Sequence, residues 1–181
     1  MKYFLIILVF LVGCSSVGTF HYTVPKGKHR STNILREVHN HTLRYSFTTD
    51  STWIWDKPDK QGWSKVTGMS WNSNKKNSVR IVYLRLSDSV GVLGYYYYVN
   101  GVSPQDNPTQ KGILDTISIG QSYYGKLGWD NGFYFIEMNN KYHSMYVGDV
   151  IPTFYFRWLQ NPYIGGTYVI DHDWDMITTI R

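Results

Sequence analysis

Residues 79–86 read VRIVYLRL and residues 91–99 read GVLGYYYYV. The first stretch is apolar at consecutive positions, which predicts a strand covered on both faces. The second follows across the short polar turn Ser87–Ser89 and reads as its hairpin partner. From this pair outward the chain keeps a period of two. LRYSF (43–47), KVTGMSW (65–71), ILDTISI (113–119), FYFIEM (133–138), YHSMYV (142–147), FYFRW (154–158) and DMITTI (175–180) all read as strands. Asn100-Gly101, Asp130-Asn131-Gly132, Asn139-Asn140, Gly148-Asp149 and Gly165-Gly166 supply turn chemistry between them, and Asn139-Asn140 predicts a two-residue hairpin. No ten-residue stretch beyond the first residues carries a helical stripe. Short strands at regular spacing predict an all-β, antiparallel sandwich or jelly roll in a single domain.

The N-terminus differs in kind. In MKYFLIILVFLVGC, Lys2 precedes an unbroken apolar run from Phe4 to Val12, which is the anatomy of a secretory leader and too short for a permanent membrane span. Leu11-Val12-Gly13-Cys14 resembles the lipobox of bacterial lipoproteins. That resemblance implies cleavage after residue 13 and acylation of Cys14, the one cysteine of the chain. The expected organisation is therefore a signal peptide at 1–13, a lipidated N-terminus and tether at 14–40 with one edge strand near Phe20–Val24, and a β-sandwich at 41–181. Ser15 beside the lipid resembles signals for the outer membrane. No acidic surface-export signal is visible, so a periplasm-facing position is expected.

Without Lys2 the basic residues fall from 18 to 17 against 13 acidic ones, a mild positive charge. The basic residues are scattered, with Lys26, Lys28 and Arg30 as the one cluster, so no nucleic-acid footprint is read. An acylated Cys14 leaves no thiol for catalysis or for a cysteine-ligated metal. Aromatic residues make up 17% of the chain, with 16 Tyr and 7 Trp. Such residues suit half-buried sheets and surfaces that meet amphipathic ligands.

Standard hydrolytic chemistry finds no purchase. The chain has two glutamates, Glu37 and Glu137, and no carboxylate pair inside a core strand of the kind that glycoside hydrolysis requires. Asn72 stands where a serine elbow at Gly68-Met69-Ser70 would need its second glycine. No phosphate loop, zinc helix or EF-hand loop is present. A lyase using a tyrosine, His172 and an arginine remains open, because its residues need not be adjacent in sequence.

Several candidates remain. On an extended chain Asp171, Asp173 and Asp175 share a face and can offer oxygens to calcium. We favour a solvent-facing strand entrance, with His172, Trp174 and Met176 turned inward, because calcium takes six or more oxygens and no other acidic run lies nearby. His39 and His41 share a face but lack a recognisable third ligand. Arg80 points with Val82 and Leu84 into apolar company and needs a partner, for which Asp173 is the structural candidate. Tyr96 and Tyr98 project from one face and Tyr95 and Tyr97 from the other, so one pair fills the core and the other can form a stacking platform.

Lys65-Val66-Thr67-Gly68-Met69-Ser70, Asn77-Ser78-Val79-Arg80, Tyr96 to Tyr98 with Asn100-Gly101, and Pro162-Tyr163-Ile164-Gly165-Gly166 with His172-Asp173 occur in an order with a counterpart elsewhere. It resembles that of a largely uncharacterised family of bacterial, often Bacteroidetes, β-sandwich proteins. The pattern spans roughly residues 43 to 180, with Asp171, Trp174 and Ile164 departing from it. The family is similar in look to concanavalin-like lectins and glucanases, which implies a glycan-facing sheet and supplies no catalytic residues.

The first expectation is thus a lipid-anchored, non-catalytic sandwich that binds a glycan or similar polar polymer, without a cofactor. Trp71, Tyr96, Tyr98 and Tyr163 would stack on it, and Arg85 and His172 would hydrogen-bond. The alternatives are an envelope structural or assembly protein whose aromatics meet protein, and a polysaccharide lyase.

Overall fold

The computed structural model describes residues 17–31, 36–55, 62–71, 76–103, 112–148, 157–166 and 169–181. The leader, Cys14 and the first half of FYFRW lie outside the described residues. Among the described residues eleven strands follow in order: β1 (Gly18–Val24), β2 (Thr42–Thr48), β3 (Ser64–Trp71), β4 (Asn77–Arg85), β5 (Val90–Tyr98), β6 (Ile113–Ser118), β7 (Ser122–Asp130), β8 (Phe133–Met138), β9 (Lys141–Tyr146), β10 (Arg157–Gln160) and β11 (Trp174–Ile180). They form a six-stranded sheet ordered β1-β11-β2-β7-β8-β9 and a five-stranded sheet ordered β10-β3-β4-β5-β6. All neighbours within the two sheets are antiparallel. This is the expected β-sandwich.

The hairpin of β4 and β5 forms as its residues predict, with Val79 opposite Tyr97 and Arg85 opposite Gly91. Asn139 and Asn140 both adopt positive φ, 47° and 66°, and close the β8–β9 hairpin in the primed geometry that matches strand twist. The strand β7 has no counterpart in the period-two reading. Gly125 and Gly128 break its alternation, yet both are required in place. A Cβ on Gly125 would lie 2.0 Å from the Glu137 carbonyl oxygen, and one on Gly128 would lie 2.1 Å from that of His41.

The stretch read as a tether also joins the fold. β1 pairs along its whole length with β11, and Glu37 bridges to Trp158. The sandwich therefore recruits chain well before residue 41, because β11 would otherwise present an unpaired edge.

Between the layers lies an aromatic core. Trp53, carried on a short 3-10 turn at Ser51–Trp53, meets Tyr83 at 5.0 Å and Trp174 at 5.2 Å, both edge to face. The Tyr83 hydroxyl donates to the Trp53 carbonyl oxygen at 3.0 Å, so its polar end is satisfied in the interior. Each such ring contributes roughly 1.5–3 kcal/mol by leaving water.

Candidate functional site

The sandwich has two outer faces, and that of the five-stranded sheet holds the candidate site. Alternation along β4 sends Ser78, Arg80 and Val82 outward. The register sets them against Tyr98, Tyr96 and Gly94 of β5. On the other side of β4, Lys65 pairs with Val82 before a bulge in β3. Tyr163 extends the sheet beyond β10 by an antiparallel bridge to Lys65, with N–H···O distances of 2.7 and 3.0 Å.

Glycines let the wall of the site close down on the sheet. A Cβ on Gly94 would lie 2.6 Å from the Gly112 carbonyl oxygen and 3.0 Å from the Trp63 ring, and one on Gly165 would lie 1.9 Å from the Trp63 carbonyl oxygen. Trp63 and the Gly165-Gly166 turn thereby bound a cleft of about 360 Å³ whose floor includes Lys65, Val82, Tyr96 and Tyr98, with Tyr163 on its side.

The cleft is aromatic and cationic. Tyr96 and Tyr98 lie nearly parallel at 5.9 Å. The Arg80 guanidinium sits 4.6 Å from the Tyr98 ring centre, while its Nε donates to Ser78 Oγ at 3.0 Å. Burial pulls the Arg80 guanidinium below its ordinary range and the neighbouring Tyr98 opposes that shift, but an arginine so placed stays charged. Lys65 Nζ lies 4.5 Å from the Tyr163 ring, with Arg30 at 5.9 Å and the His29 ring at 5.6 Å. Among the described residues, none that lines the cleft is acidic. Near its edge, buried Gln160 donates to Ser70 Oγ at 2.5 Å.

Three of the six residues expected to meet a ligand, Tyr96, Tyr98 and Tyr163, come together in this cleft. The other three do not. Trp71 is in the core, 1% exposed and stacked on Tyr134 at 5.1 Å, because its register opposite Asn77 turns it inward. Arg85 also faces inward. Its guanidinium is held by the Trp55 and Ser87 carbonyl oxygens and by Asp88. His172 stands before β11 in the other sheet, 2.8 Å from Asp171 Oδ1 and 3.1 Å from the Thr52 carbonyl oxygen. The triad of a cleft tyrosine, His172 and an arginine is therefore not assembled.

The expected Arg80–Asp173 pair is likewise corrected. The two residues belong to opposite sheets, and Asp173 instead accepts the Lys26 backbone N–H at 2.7 Å. Asp175 accepts from Thr23 Oγ1 at 2.6 Å, and the His172 hydrogen bond holds the Asp171 carboxyl below the usual carboxylate range. Each carboxylate of the trio has its own protein partner. Among the described residues no three His, Asp or Glu side chains are grouped to hold a metal ion. Lys65 and Trp63 are the cleft residues that sequence reasoning missed. The spacing of Gly62, Gly94 and Gly165 was the available signal, since each marks a close approach of chain.

No family model and no curated protein matches the sequence. Solved structures do match in fold. An alginate lyase from Pseudomonas aeruginosa superposes with a TM-score of 0.60 at 13% identity, over 92% of this chain and 81% of that one. The marine family 7 alginate lyase of Zobellia galactanivorans gives 0.54 at 14%, over 89% and 75%. A polysaccharide lyase of family 18 gives 0.53 at 8%, over 93% and 88%. At these identities the likeness shows the fold, an all-β jelly roll related to concanavalin-like sandwiches.

Proposed function

We propose that the protein binds an acidic polysaccharide along the outer face of the five-stranded sheet, at the cleft of Lys65, Tyr96, Tyr98 and Tyr163. One observation carries this reading: the cleft combines stacked tyrosines with the cation Lys65, buried Arg80 backs the Tyr98 ring, and among the described residues no carboxylate lines it. Tyrosine rings cover the apolar C–H faces of sugars, and Lys65 meets uronate carboxylates. That lyases named for alginate share this fold supports the same ligand class. Isothermal titration with polyuronate and with a neutral glucan tests it. Binding to the polyuronate alone, weakened about tenfold in Tyr98→Ala and less in Lys65→Gln, is expected. Equal or absent binding of both polymers removes it.

A second reading, that the cleft also cleaves its polymer, is favoured by the presence of Tyr98 and the cation Lys65 in one cleft. In such a β-elimination a cation holds the uronate carboxylate and a base removes the adjacent proton. The electron pair forms the C4–C5 double bond as the C4–O bond breaks, and the leaving oxygen takes a proton. Ultraviolet absorbance of the unsaturated product tests this directly, and its absence with a bound polyuronate restricts the protein to binding.

The leader and Cys14 support attachment to the bacterial envelope by a lipid. Incorporation of labelled palmitate into the intact chain but not into Cys14→Ser is the corresponding test.

A further inference from the structure

The outer face of the six-stranded sheet carries a feature that the polysaccharide reading does not use. Arg181 and Arg44 exchange both backbone hydrogen bonds, at 2.9 and 3.2 Å, so they sit directly opposite each other. Arg44 is in turn opposite Lys126, and Lys126 is opposite Glu137. Three cationic side chains therefore stand in one cross-strand row, and among the described side chains one acid answers them, Glu137 Oε2 at 3.0 Å from Lys126 Nζ. Among the described residues neither Arg44 nor Arg181 forms an ion pair with an Asp or Glu. Like charges directly opposite are destabilising, so the row is costly unless an outside anion neutralises it. Shallow grooves of about 330 and 440 Å³ flank the two arginines, one bounded by Ser46, Tyr124 and Thr179 and the other by Asn40, His41 and Thr42.

The position of the row identifies its partner. Gly18 pairs with Ile180, so the chain ahead of β1 emerges beside Arg181. Cys14 lies four residues before Gly18, within about 14 Å of chain. The same end of the sandwich exposes Val17 at 63%, Val102 at 69% and Tyr146 at 70%, with Tyr146 against Phe133 at 5.1 Å. Among the described residues, Asp130 is an exposed acid at this end. Arginines beside exposed tyrosine and valine are the mixture that favours the boundary between water and an anionic lipid surface.

We propose that this end of the sandwich is a membrane-facing surface, in which Arg44 and Arg181 bind the phosphates of anionic lipid headgroups. The polysaccharide cleft opens on the outer face of the other sheet. The inference does not depend on acylation of Cys14, because the row and the emergence of the chain are both properties of the sheet.

Co-sedimentation tests it with the full chain and vesicles of phosphatidylcholine alone or with three parts in ten of phosphatidylglycerol. The leader and any acyl group are common to the wild type and its variants, so the ratio between the vesicles is compared among them. We expect the ratio to favour the anionic vesicles and to fall about fivefold for each of Arg44→Gln and Arg181→Gln. Unchanged polyuronate binding and melting in these variants separate this outcome from failure of the cleft or of the fold. Equal partitioning of the wild type, or variants that match it, overturns the proposal. So does polyuronate binding that weakens with the two arginines, which would make the row a polysaccharide site, or a dimer that the double variant disperses.

Discussion

On the inner face of β5, Tyr97 is 2% exposed, donates its hydroxyl to the His143 carbonyl oxygen at 3.2 Å and lies against Tyr134 at 5.9 Å. On the outer face of the same strand, half-buried Tyr96 and Tyr98 stack at the same 5.9 Å beside Arg80 in an open cleft. Composition and propensity are identical at the two pairs. What differs is the layer opposite: β8 and β9 close over one face, whereas Trp63 and a glycine turn stand at the margin of the other. Burial pushes the Tyr97 phenol far above its ordinary value, so the inner ring is a neutral packing element at any physiological pH.

This contrast is open to attack by mutation, and the largest effect belongs to the inner face. Tyr97→Ala should lower the unfolding free energy by about 3–5 kcal/mol, read by urea denaturation, as a cavity opens between the sheets. Gly94→Val should come next, destabilising by about 1–3 kcal/mol and abolishing polyuronate binding, because its side chain must displace Trp63 or the Gly112 carbonyl. Were Gly94→Val to bind normally, the cleft would not be the site. Tyr98→Ala should reverse the pattern of Tyr97→Ala, with little change in denaturation midpoint and about tenfold weaker binding. Lys65→Gln should weaken polyuronate binding by about two- to fivefold at low salt, and added salt should erase the difference.

The smallest effect concerns pH. Burial, and then the positive charge of Arg157 at 3.0 Å, lower the His41 pKa. The folded state thus resists the proton that the unfolded chain accepts. His41 should contribute its full stability above the ordinary imidazole range and lose it as pH falls through that range. His41→Gln should flatten that part of a melting-temperature profile; an unaltered slope would refute the assignment.

How much of the site could be read in advance follows from the kind of information each residue needed. Tyr96, Tyr98 and Tyr163 were legible because alternation and a Pro-aromatic-Gly-Gly turn are local patterns. Trp71 was misplaced because the parity of β3 is reset by the bulge between Lys65 and Thr67, and a one-residue slip exchanges inside for outside. Arg85 shares a strand with Arg80 but opposite parity, which sends it to the end of the core and not to the cleft. His172 needed the packing of Ser51–Trp53 against β11 to find its partner at Thr52. Strand β7 went unseen because its glycines answer to clashes with neighbouring strands, which leave no trace in a single segment.

Periodicity and turn residues alone settled the all-β class, the β4–β5 and β8–β9 hairpins and the two-sided character of the tyrosine run, since these depend on contacts between near neighbours in the chain. The pairing of β1 with β11, the closure of Trp63 over Gly94 and the alignment of Arg181, Arg44 and Lys126 were decided only by assembly of the sheets. Each joins segments tens to more than a hundred residues apart, and no local preference for backbone or side chain specifies which distant strand will lie alongside.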